Sequence, residues 1–226
     1  MTALVHPPLS ARRAASRGGA RWARAWARAG EEAAYDERDL AAGRSLARSG
    51  NVGAITTDTG RFTADVQVAG DACRVSGALP VLGAAERDAL VESVAAGSGR
   101  LAALLAGELP HDLVEHAEES GAELLPYGSE LETSCSCRAW VDPCEHALAV
   151  LLQLTWLLEE DPFVLLQLRG LPLEELLVRL HDDAPGVREA DDDPRSDLSV
   201  AADAALRAAA VLRAVEADED RIDHLL

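Results

Sequence analysis

Apolar positions recur every three or four residues over most of this chain, with one stretch where the interval drops to two. Trp22 and Trp26 stand four apart, which predicts a helix over residues 21–30 with both indoles on one packing face. A second helix is expected over 36–48, closed by Gly50 just beyond its end. From 51 to 79 the pattern alternates. Val52, Ala54 and Thr56 form one set, Phe62, Ala64, Val66 and Val68 a second, and Cys73, Val75 and Gly77 a third. The breaks between them, Asp58-Thr59-Gly60 and Gly70-Asp71, carry hairpin chemistry. A meander of three antiparallel strands is the expectation, with Cys73 turned inward as a core thiol.

Helical spacing returns over 80–97 through Leu82, Leu90, Val91 and Val94, and shorter helices are expected over 100–107 and 110–120. His111 and His116 are five apart, share no helix face, and are read as surface residues. A strongly apolar helix is expected from His146 to about Leu158. Asp161-Pro162 then caps and opens another that ends at Gly170, and one more covers 172–181. Residues 1–20 show no period and are read as a disordered basic tail. Residues 182–197 are acidic, hold Pro185, Gly186 and Pro194, and read as a linker. Residues 198–226 form a C-terminal region whose Ala-rich part predicts a last helix. The fold class is α+β: a small antiparallel three-stranded sheet with a mainly helical remainder.

Charge narrows the partners. The chain of 226 residues has a net charge of −18 and no lysine. Residues 1–50 carry nine Arg against five acids, whereas 101–150 carry one Arg against ten. A field this negative opposes phosphate, so direct DNA binding is disfavoured and would have to come from the N-terminal arginines. A basic protein partner fits better. Arg12-Arg13 lacks the apolar run of an export signal. The longest apolar stretch, 147–158, is short for a membrane and is broken by Gln153 and Thr155. The expected compartment is therefore the cytoplasm, with no membrane association. In a reducing compartment, clustered cysteines read as metal ligands rather than disulfides.

Such a cluster lies at residues 135–146, CSCRAWVDPCEH. Cys135 and Cys137 project to one side of an extended segment, because strand side chains alternate. Cys144 and His146 follow after six residues. Asp142, Pro143 and Glu145 are spaced as N-cap, first and third helical residues, so the second ligand pair is expected in the first turn of a helix. Three thiolates and one imidazole complete a tetrahedral set for one structural Zn2+, with no position open to water. Cys73 is not needed as a ligand.

The pattern C-x-C-x6-C-x-H resembles the SWIM zinc finger. The similarity extends through LETSCSCRAWVDPCEHALAVLLQL, DPFVLLQLRG and EELLVRL, and on the N-terminal side through GRSLARSGNV and the Trp22/Trp26 region. These runs look like bacterial SWIM proteins found beside helicase-like ATPases of the Swi/Snf class. The resemblance implies Cys135, Cys137, Cys144 and His146 as the metal ligands. The chain itself is read as an α+β region at 21–134 followed by the finger with its following helices at 135–181. Two positions depart from the family pattern. Arg138-Ala139 replaces a frequent Pro-Asp, and Glu145 stands where a basic residue is frequent.

The expected function is a zinc-organised protein-interaction module, accessory to a Swi/Snf-type helicase or other DNA-transaction machinery. The alternative is weak, salt-sensitive DNA binding. No phosphate-cradling glycine loop, nucleophile elbow or open metal site is present, so no enzymatic activity is expected.

Overall fold

In the computed structural model, residues 3–11, 21–127 and 130–182 are described. The linker expected at 182–197 and the helix expected within 198–226 lie outside them, save Asp182. Five strands make one antiparallel sheet in the order β1-β2-β3-β4-β5. They are β1 Leu4–His6, β2 Val52–Asp58, β3 Arg61–Val68, β4 Asp71–Ala78 and β5 Glu132–Cys135.

The central three strands are the meander read from the alternating stretch. Ala69 and Gly70 both have positive φ at the second turn, as a two-residue hairpin with matching twist requires. Two strands were not expected in this sheet, although the Cys135 segment was read as extended. β1 lies in the stretch read as a disordered tail, and it pairs with β2 through Val5↔Thr56. β5 pairs with β4 through Val75↔Cys135. The sheet therefore has five strands rather than three. Within β2 the expected facing set is also shifted. A bulge between Val52 and Ile55 moves the buried positions to Val52, Ile55 and Thr57, leaving Ala54 exposed.

Eight helices are described: α1 Arg21–Glu32, α2 Glu37–Arg48, α3 Ala84–Ala96, α4 Arg100–Leu105, α5 His111–Glu119, α6 Glu145–Glu160, α7 Pro162–Leu168 and α8 Leu173–Asp182. Two of them are capped by an aspartate side chain. The Asp36 side chain accepts from Asp39 N at the start of α2, and Asp161 accepts from Phe163 N at the start of α7. Trp22 and Trp26 are buried, as a packing stripe should be.

The centre of the molecule is α6. It is apolar on nearly every side, and twelve of its residues, from His146 to Leu158, are buried. A helix of that kind must be covered all round. Here α1 and α2 pack on it from one side, and it also contacts β2, β3, β4, β5 and α7. The two polar residues that break its apolar run each donate a hydrogen bond to a backbone carbonyl, while Gln153 Oε1 is buried with no acceptor bond among the described residues. Gln153 Nε2 donates to Ala47 O at 2.8 Å, and Thr155 Oγ1 donates to Leu151 O at 3.0 Å.

The approach of α2 to α6 depends on Gly43. A Cβ built there would lie 2.7 Å from Leu148 Cβ and 3.0 Å from the Glu145 carbonyl. Gly43→Ala gains about 0.8–1 kcal/mol of helix propensity. Forcing the helices apart costs about 1–3 kcal/mol. We therefore expect a net loss of up to about 2 kcal/mol, read as a lower urea midpoint at unchanged m.

Candidate metal centre

Cys135 ends β5, and Cys144 caps α6. The metal-ligand set thus joins the edge of the sheet to the first turn of the central helix. One ligand atom from each of Cys135, Cys137, Cys144 and His146 lies within 4.8 Å of all the others. The Cys137 and Cys144 sulfurs are 3.6 Å apart, and Cys144 Sγ is 3.7 Å from His146 Nδ1. A tetrahedral zinc with bonds of about 2.3 Å to sulfur and 2.0–2.1 Å to nitrogen requires separations of about 3.8 Å and 3.6 Å. The observed spacing fits one zinc ion bound through Nδ1. It is too long for a disulfide, whose sulfurs sit about 2.05 Å apart.

Binding through Nδ1 fixes the imidazole proton on Nε2. That atom is buried, and no described residue accepts from it. Glu145 Oε1 is 3.9 Å away, beyond a direct hydrogen bond but within reach of a bridging water.

The local path into α6 differs from the sequence expectation. The helix begins at Glu145 with Cys144 as N-cap, two residues later than the Asp142-Pro143 signal implied. Asp142 is used elsewhere. Its Oδ1 accepts from Thr133 Oγ1 on β5, which ties the outgoing arm of the loop to the strand that carries Cys135. Pro143 follows through a cis peptide bond and is buried. The helix still presents its N-terminal N–H groups to the ligand side, and the Ala147 N–H favours the Cys144 thiolate, though by less than burial opposes it.

Cys73 requires a second correction. It is half-buried rather than a core thiol. It shares a face of β4 with Val75, and Val75 pairs with Cys135. Burial first, and then the neighbouring Cys137 sulfur, raise its thiol pKa. The ligand set remains the four residues named, with Cys73 beside it. Period-two alternation could place Cys73 on a face. Only the pairing of β4 with β5 could place it near the ligands.

Burial also raises the pKa of Cys144 and of Cys135 above the ordinary thiol range. At neutral pH the metal-free protein therefore holds both protons, and zinc, which binds thiolate, must expel them. Each expelled proton makes affinity rise tenfold per pH unit. We expect these two alone to give a gain of about 100-fold per unit from pH 6 to pH 8. Competition against a chromophoric chelator at three pH values checks this. A flat profile would mean the thiols are already ionised without metal.

Comparison with known proteins agrees with the geometry. Residues 119–154 match the family model of the SWIM zinc finger. An uncharacterized protein of Mycobacterium tuberculosis is 34% identical over 143 residues, covering 62% of this chain and 52% of that protein. The chain thus spans about half the length of that curated relative. No solved structure matches it. Among the described residues, no helix is long and apolar enough to cross a membrane.

Proposed function

We propose, for a chain whose residues 119–154 are a SWIM zinc finger, that the zinc centre organises a protein-docking surface and carries no reaction of its own. One observation supports this most. The four-ligand set is complete and ties the sheet edge to the central helix, within a segment of six acids and one Arg. A closed site of this kind holds shape and leaves no coordination position for substrate. Its surroundings repel phosphate and attract basic protein surface. The partner we propose is a Swi/Snf-class helicase-like ATPase or another component of DNA-transaction machinery, in the cytoplasm.

Two measurements on the zinc-loaded full chain test the reading. The first is co-elution with the Swi/Snf-class ATPase of the same host. The second is titration with fluorescent duplex DNA at low and moderate salt. A stable complex with the ATPase, and no saturable DNA binding, is expected. Tight DNA binding that disappears in Cys144→Ala/His146→Ala would make the finger a DNA reader and overturn the proposal. Failure to associate with the ATPase would remove that partner.

A further inference from the structure

The chain has four tryptophans. Trp22, Trp26 and Trp156 are 4%, 1% and 5% exposed, whereas Trp140 is 102% exposed. It stands on the six-residue loop between Cys137 and Cys144, so the ligand set brackets it on both sides. Asp142, bonded to Thr133, and buried Pro143 fix the outgoing arm of the loop. Its neighbours Arg138 and Ala139 are also exposed. An indole held outward on a loop pinned at both ends loses little conformational entropy on binding. Tryptophan in such a setting is the side chain most enriched among residues that dominate binding energy.

We infer that Trp140 anchors the finger in an apolar pocket, rimmed by arginine or lysine, on the partner protein. This rests on the docking function proposed above and names the contact residue and the chemistry of its receptor. Charge chooses the class of partner. An exposed indole can also stack on an unpaired base, but proteins that bind single strands surround such rings with basic side chains. Here Arg138 is the single basic residue of residues 119–154, against Glu119, Glu123, Glu130, Glu132, Asp142 and Glu145. Glu132 and Asp142 are exposed on the segments that lead to and from the loop. A cationic rim on the partner meets these carboxylates. An arginine or lysine over the ring face adds cation–π attraction.

The test uses the full chain in its native host, with the photo-crosslinking residue p-benzoylphenylalanine in place of Trp140, or of Tyr35, another exposed aromatic, as a comparison position. Expected from position 140 is an adduct to one protein, at a peptide containing arginine or lysine next to apolar residues. With that protein purified, Trp140→Ala should weaken the complex by about thirtyfold or more. The variant should keep one zinc per chain and an unchanged melting temperature. Trp140→Phe should recover part of the affinity. Adducts from position 35 but none from 140, or a complex indifferent to Trp140→Ala, would leave docking standing and overturn the role of Trp140. Adducts from 140 to nucleic acid alone, or none from either position, would overturn both.

Discussion

Removing zinc, or replacing Cys144 and His146 together by alanine, is expected to lower the thermal midpoint by at least about 10 °C. The reason is where the ion sits. Among the described residues, β5 is an edge strand whose one ladder partner is β4. Through the metal it is also joined to the first turn of α6, which packs against α1, α2 and the sheet. A structural zinc contributes about 10–16 kcal/mol of apparent binding free energy, comparable to or larger than the 5–15 kcal/mol that stabilises a typical domain. Without it, buried Cys144 and His146 are left as polar side chains at a helix start with no common partner. We expect the metal-free protein to lose β5 pairing and the order of the 136–144 loop first. Circular dichroism melts with and without chelator, alongside zinc content, read this out. Cys73→Ala is the matched control: it should keep one zinc per chain and change the midpoint little. A metal-free protein that melts like the zinc form would place the ion outside the cooperative unit. A Cys73→Ala protein without zinc would make Cys73 a ligand.

How much of this was readable in the sequence depends on whether a feature is local. The ligands were legible because four of the metal's preferred residue types fall within twelve positions, with paired spacing. The meander was legible because alternation and turn residues coincide over 51–79. β1 was not, since three residues are too few to show a period. Its existence depends on β2 offering an edge to Val5 and its neighbours. The bulge in β2 was equally hidden, because register is a property of two strands and Gly53 alone does not announce one. The start of α6 shows local preference losing to tertiary context. Asp142-Pro143 is a sound helix-opening signal, yet the Asp142 carboxylate is taken by Thr133, and Cys144 becomes the cap. Trp140 was named in the sequence only as part of the cluster. Its exposure is visible once the other three indoles are seen inside.

The second large effect expected is at Arg169, a side chain only 4% exposed that no periodicity singles out. It follows α7, and its guanidinium donates to Pro80 O at 2.6 Å and to Glu123 O. Its own carbonyl accepts from Leu82 N at 2.9 Å. One residue thus clamps the segment before α3 and the segment that leads into the finger. Burial pulls its pKa below the ordinary arginine range, and Glu130, Glu86 and Glu123 pull it back, so the charge is retained. Arg169→Met keeps much of the apolar stem but removes the bonds from the guanidinium to two carbonyls. At about 1–3 kcal/mol for each bond lost from the charged guanidinium, the loss should be about 2–6 kcal/mol. With an m-value of about 2 kcal/mol/M, the urea midpoint should fall by about 1–3 M. Arg169→Lys has donors but no fork to reach both carbonyls, so it should recover less than half of the loss. Because Glu123 lies in the finger segment, zinc should also leave Arg169→Met faster under chelator challenge, with one zinc per chain still bound beforehand. A variant that unfolds at the same urea concentration as the parent would mean that water replaces the guanidinium at both carbonyls. Arg169 would then be a tolerated buried charge rather than a clamp.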